Sequence, residues 1–145
     1  SKESSIIEIQ SFIESLFISE VKQTKDFSVN DRRFPCLSYS NEFLWLSYID
    51  FFKVPVGYED FKTIFNQYKW LFISEFQQLN DDHADLIRRF ITFIDLAYAE
   101  KVNIKFFLKN EQINDLYQGN LLKELWVRTS SRLIEMSSSE YLTTN

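Results

Sequence analysis

Glycine and proline are close to absent from this chain, with two of each among 145 residues. The shortage of glycine excludes a phosphate-binding loop of the Gly-rich kind, in which residues without Cβ let successive backbone amides close around a phosphate. Neither Gly57 nor Gly119 stands beside a Gly-Lys-Ser/Thr string. The same composition, with no biased stretch, excludes collagen-like and low-complexity sequence. A single cysteine, Cys36, excludes an internal disulfide, and with the single histidine, His83, leaves too few soft ligands for a structural zinc site. No stretch approaches the roughly 18 uninterrupted apolar residues of a membrane span. The opening Ser1-Lys2-Glu3-Ser4-Ser5 lacks the basic and apolar regions of a signal peptide. These absences describe a cytosolic polypeptide in a reducing compartment, and a start without Met suggests a piece of a longer protein. A formal net charge of −5 and a pI near 4.9 argue against the basic face that a nucleic-acid backbone requires, so no nucleic-acid partner is expected.

What is present is the material of a core. Hydrophobic residues make up 45% of the chain, with 15 Phe and 3 Trp, and a chain of this length buries roughly two thirds of the surface it exposes when unfolded. A single unit is the economical reading, with an N-terminal helical segment over 1–25 and an α/β body over 26–145. Ser5 and Glu8 have the spacing of a capping box, and Ile6, Ile9, Ile13, Leu16 and Phe17 recur at helical intervals, which predicts a helix over about 5–22. Phe27, Val29, Phe34, Leu37 and Tyr39 then lie in short runs around Asn30-Asp31, the pattern of a β-hairpin. Residues 42–48 read as an aromatic strand, and Pro55 with Gly57 breaks the chain before a short amphipathic helix over 58–67. Two strand-and-helix steps follow. Trp70-Leu71-Phe72-Ile73-Ser74 is an apolar run of strand length, residues 81–101 have helical periodicity, and 102–108 is a second apolar run. This alternation predicts a small, mostly parallel sheet with helices on both faces. One or two helical turns over 111–117, capped near Gly119, and a last helix over about 121–141 complete the prediction.

The polar residues on the two long helices admit two readings each. On the first, Arg88, Thr92 and Asp95 share a stripe, because seven residues return the direction to nearly the same angle; they are either a solvated face or a mutually supporting set. On the last, Glu124, Arg128, Arg132 and Glu135 line one face, while Leu122, Trp126, Leu133 and Met136 line another. The bland reading there is a ladder of ion pairs within the helix. The sharp one is that Arg128 or Arg132 meets a phosphate across an interface, since a planar, permanently charged fork suits phosphoryl oxygens. His83, in an acidic stretch at a helix start and without a nucleophile beside it, reads as a solvated first-turn residue. Trp45, Trp70 and Trp126 fall on apolar runs and read as core rather than as a stacking platform. Asp50 and Glu75 end two predicted strands, and with Asp95 they form the one set from which a Mg²⁺-dependent enzyme would be built.

Two strings in the last third are specific. Arg88-Arg89-Phe90-Ile91 with Ile94-Asp95, and Arg128-Thr129-Ser130-Ser131-Arg132-Leu133-Ile134-Glu135-Met136 followed by Ser139-Glu140-Tyr141-Leu142, resemble the C-terminal part of the ZapE-type cell-division ATPases and their mitochondrial relatives, the lactation-elevated (AFG-like) ATPases. The resemblance extends weakly back to Phe27, through VNDRRFP at 29–35 and the aromatic run at 43–49. Asp31 stands where that family has a turn glycine, and Ala97-Tyr98-Ala99 where it has a Leu-Tyr-Asp run. The resemblance implies a C-terminal domain of a larger P-loop, AAA+-like ATPase whose ATP and Mg²⁺ chemistry lies upstream, so that this chain has no catalytic residue, cofactor or metal of its own. It also implies the candidate interface or nucleotide-sensing residues Arg88, Arg89, Asp95, Arg128, Arg132 and Glu135. Implied partners are the upstream ATPase core of the same protein, other copies of it, or a client in the division machinery. The implied location is the bacterial cytoplasm, at the periphery of the inner membrane, with mitochondria as the alternative. A free-standing α/β interaction module unrelated to ATP hydrolysis is the competing reading.

Overall fold

The computed structural model describes residues 2–17, 20–108 and 112–137, with side chains from Ser5 onward. The N-terminal helix α1 spans Lys2–Leu16, starting earlier than the capping-box spacing predicts, so that Ser5 lies inside it. It also ends earlier than predicted. By Lys22 the chain is extended and pairs with Tyr39, and the backbone bonds gained there replace a further helical turn.

A hairpin follows, with β1 at Asp26–Val29 and β2 at Arg32–Pro35. Its turn residues Asn30 and Asp31 have φ of 52° and 63°. Two consecutive positive φ angles match the right-handed twist of the flanking strands, and Asn and Asp tolerate that region better than other residues with side chains, so the turn forms without glycine. The second sheet holds β3 at Ser38–Tyr39, β4 at Phe43–Ser47, β5 at Trp70–Ser74 and β6 at Ile104–Phe106, in spatial order β3-β4-β5-β6. β4, β5 and β6 are parallel and β3 is antiparallel at the edge, which gives the mostly parallel sheet the sequence predicts.

Between β4 and β5 lie two helices, α2 at Tyr48–Phe52 and α3 at Tyr58–Gln67. The first corrects the sequence reading, in which Tyr48 continued the strand and Asp50 closed it. Ser47 turns the strand directly into helix by accepting the Asp50 amide at 3.3 Å on its hydroxyl. After β5 a short 3-10 turn at Asp81–His83 leads into α4 at Ala84–Glu100, and the last helix, α5, spans Lys123–Met136. The one or two helical turns predicted over 111–117 are present in the described part, from Gln112 onward, as 3-10 turns in which the Asp115 and Leu116 amides donate to the Gln112 and Ile113 carbonyls at 3.1 and 3.3 Å. Tyr141, where the last helix was expected to end, lies outside the described residues.

Alternation along the strands sorts the core into two layers. Leu44, Leu46, Leu71, Ile73, Ile104 and Phe106 face the main core with the buried sides of α2 to α5 and the hairpin. Phe43, Trp45 and Phe72 face the other way and are covered by Ile13 and Phe17 of the N-terminal segment. Each such aromatic, when fully buried, stabilises the fold by about 1.5–3 kcal/mol. On the α1 side the indole N–H of Trp45 donates to Ser74 Oγ at 2.9 Å, so this fully buried indole is paired.

Candidate functional site

α4 and α5 lie side by side, and each turns its apolar stripe inward. Phe90, Phe93, Ile94 and Ala97 of α4, with Trp126, Leu133 and Met136 of α5, are buried. The polar residues beside those stripes are thereby brought together at the seam between the helices. Asp95 of α4 accepts from both arginines of α5, with Arg128 Nη2 at 3.0 Å from Oδ2 and Arg132 Nη1 at 2.5 Å from Oδ1. One turn further along α4, the Tyr98 hydroxyl donates to Glu135 Oε2 at 2.7 Å, and the Arg132 guanidinium stacks 4.9 Å from the Tyr98 ring centre. The hydrogen bond to Glu135 is the main cause that raises the Tyr98 pKa, because it favours the protonated phenol. Four of the six predicted residues, Asp95, Arg128, Arg132 and Glu135, thus form one cluster.

Its wiring differs from either bland reading of the sequence. Both arginines of α5 pair with Asp95 of α4 across the seam, a pairing that neither helix's own spacing contains. Asp95 is engaged by those arginines, and Arg88 pairs instead with Asp85 at 3.7 Å, so the proposed support of Asp95 by Arg88 does not occur. Arg89 has a different task. Its Nη1 donates at 3.1 Å to the carbonyl of Phe52, the last residue of α2, and so ties α4 to that helix end. Tyr98 is the residue that sequence reasoning missed, and its position three residues after Asp95 on the same helix was the available signal.

A second polar cluster shapes the approach to α5. The Asp81 carboxylate accepts the Asn120 amide at 2.9 Å, the Tyr117 hydroxyl, and the Leu121 amide at 3.4 Å. The Asn120 amide, then the Tyr117 hydroxyl, hold its pKa below the ordinary carboxylate value. Tyr117 in turn accepts the Leu122 amide at 2.9 Å. Gly119 threads this knot: a Cβ there would lie 2.5 Å from Tyr117 OH and Cε1 and closer still to Asp81 Oδ1. Its role is therefore close approach, and the expected cap with positive φ is not formed, since neither glycine has positive φ. His83 is exposed, as expected of a solvated first-turn residue.

The residues proposed for Mg²⁺ are not gathered. Asp50 sits on α2 beside Lys53 at 3.4 Å, Asp95 is taken by two arginines, and among the described residues no three His, Cys, Asp or Glu side chains converge on a metal position. Nor does either glycine line a strand-to-helix turn at the carboxyl end of the sheet, the place where parallel α/β folds hold phosphates. Gly57 is the N-cap of α3, Gly119 belongs to the knot, and Glu75 with φ of 64° follows β5. What the site offers chemically is two guanidinium groups on one carboxylate, one of them half in water.

The chain as a whole, residues 1–145, matches the family model described as AFG1-like ATPase. No curated protein and no solved structure matches it.

Proposed function

The chain belongs to the AFG1-like ATPase family, and from that premise we propose that it is the non-catalytic C-terminal part of a P-loop ATPase whose ATP and Mg²⁺ are bound by an upstream core. In this reading the α4–α5 seam is the working surface. Arg128 or Arg132 faces a phosphate held by that core or by a neighbouring subunit, where a planar cation neutralises charge that develops on the transferred phosphoryl group. The observation that carries the reading is the pairing of both arginines with Asp95 of another helix. The shared carboxylate holds two guanidinium groups side by side, with Arg128 half exposed. Leu125, one turn before Arg128, is 40% exposed, and an apposed protein surface would cover it. The absence of a glycine-lined cradle supports placing the nucleotide elsewhere. By the same family logic the complete protein acts in the bacterial cytoplasm at the division site.

The test is calorimetry of the 145-residue chain with Mg-ATP. Neither tight binding nor hydrolysis is expected, since two arginines without the core's phosphate cradle give a triphosphate at most a weak contact. Tight binding, or metal-dependent turnover by the chain alone, would show that it carries a nucleotide site of its own and would end this reading.

A further inference from the structure

Asp95 holds its two arginines unequally, and the inequality separates their roles. Arg132 is gripped from several sides. Its Nη1 lies 2.5 Å from Asp95 Oδ1, its guanidinium stacks on Tyr98, and Tyr98 is itself fixed by its hydrogen bond to Glu135; only 29% of the Arg132 side chain is exposed. Arg128 has Asp95 Oδ2, at 3.0 Å, as its one ionic partner among the described residues, and 50% of its side chain is exposed. Releasing Arg128 would leave Asp95 still paired through its other oxygen, and would place the guanidinium in water rather than in a dry interior. A half-exposed ion pair of this kind biases the held state by a factor of about five at most, because solvent and salt screen it.

We propose that Arg128 is the arm that contacts phosphate, that Asp95 is the carboxylate it exchanges for phosphate oxygens, and that Arg132 is a positioning residue that keeps Asp95 and the seam in register. The assignment rests on the reading that this seam meets a nucleotide phosphate. A phosphate offers a guanidinium paired oxygens where Asp95 offers Arg128 only Oδ2, so the exchange swaps a single contact for a partner of higher charge that two N–H groups can grip. Until a phosphate is near, Asp95 keeps Arg128 from pairing with other anions.

The experiment has two arms. In the first, inorganic tripolyphosphate is titrated into the chain carrying ¹⁵N-labelled arginine, and the side-chain Nε–H signals are followed by NMR. The Arg128 signal is expected to shift saturably while that of Arg132 moves little, and Asp95→Asn is expected to tighten binding about twofold by removing the competitor. Movement of Arg132 in place of Arg128, or weaker or unchanged binding in Asp95→Asn, overturns the exchange. In the second arm, Arg128→Ala in the complete ATPase is expected to lower kcat at least tenfold with Tm retained, and Arg128→Lys to recover part of it. Arg132→Ala is expected to lower Tm. If turnover ignores both arginines while the first arm behaves as described, the exchange stands and the nucleotide reading falls. If Arg132→Ala alone lowers turnover with Tm intact, the reading stands and the division of labour is wrong.

Discussion

Two double-mutant cycles on the chain would measure how firmly each arginine is held, one through Asp95→Asn with Arg132→Gln and one through Asp95→Asn with Arg128→Gln. The geometry predicts different couplings. Arg132 and Asp95 are 29% and 33% exposed and lie 2.5 Å apart. A charge-assisted hydrogen bond is worth about 1.5–3 kcal/mol when well shielded, and discounting for the third that is open to solvent leaves about 1 kcal/mol. Arg128, half exposed and at 3.0 Å, belongs with ordinary surface pairs at about 0.3 kcal/mol. The assay is urea unfolding followed by tryptophan fluorescence, with each coupling taken from the four stabilities of its cycle. Raising the salt to 1 M, where the Debye length is about 3 Å, should erase the Arg128 coupling and leave most of that of Arg132. Equal couplings, or a larger one for Arg128, would refute the claim that the two arginines are held differently.

Three further outcomes follow from the geometry around the seam and the core. Gly119→Ala should destabilise the chain by about 1–3 kcal/mol, as other overpacked sites do, because its Cβ would meet Asp81 and Tyr117; an unchanged urea midpoint would show that the knot yields easily. Asp81 has a pKa held below its ordinary value, so the stability it contributes is present above about pH 4 and is lost as the pH falls through the lowered folded value. The stability gap between the native chain and Asp81→Asn should therefore be open at pH 6 and close on acidification, and a gap independent of pH would contradict the hydrogen-bond assignment. Cys36 is buried, with its Sγ 3.4 Å from the Thr24 carbonyl, and burial pushes its pKa up to about 12. Thiol reagents at pH 8 should label it only after urea unfolding, and rapid native labelling would mean that the hairpin opens readily.

Legibility in the sequence tracked how local each cause is. Tyr58–Gln67 and Trp70–Ser74 lie where their periodicity places them, because an amphipathic repeat and an apolar run after a Pro-Gly break are local patterns. Tyr48–Phe52 was hidden, since five residues rich in apolar side chains fit strand and helix equally, and only the Ser47 hydroxyl opposite the Asp50 amide decides between them. The end of α1 was overestimated because the pairing of Lys22 with Tyr39 is a contact between distant positions. The same limit applies at the site. Spacing put Arg128, Arg132 and Glu135 on one face of a helix, but the choice of Asp95 and Tyr98 as their partners is made by the packing of α4 against α5, across more than thirty residues of chain. The Asp81, Tyr117 and Gly119 knot left no signal at all, since its members have no periodic relation.

The most direct measurement of the central claim is steady-state ATP hydrolysis by the complete ATPase carrying Arg128→Ala and Arg132→Ala together, set against the stability of the same variant. The account predicts that turnover falls by at least tenfold, about 1.4 kcal/mol of lost transition-state stabilisation, while enough folded protein remains to be assayed. Turnover equal to that of the unaltered protein would mean that the pair serves the seam alone and meets no nucleotide.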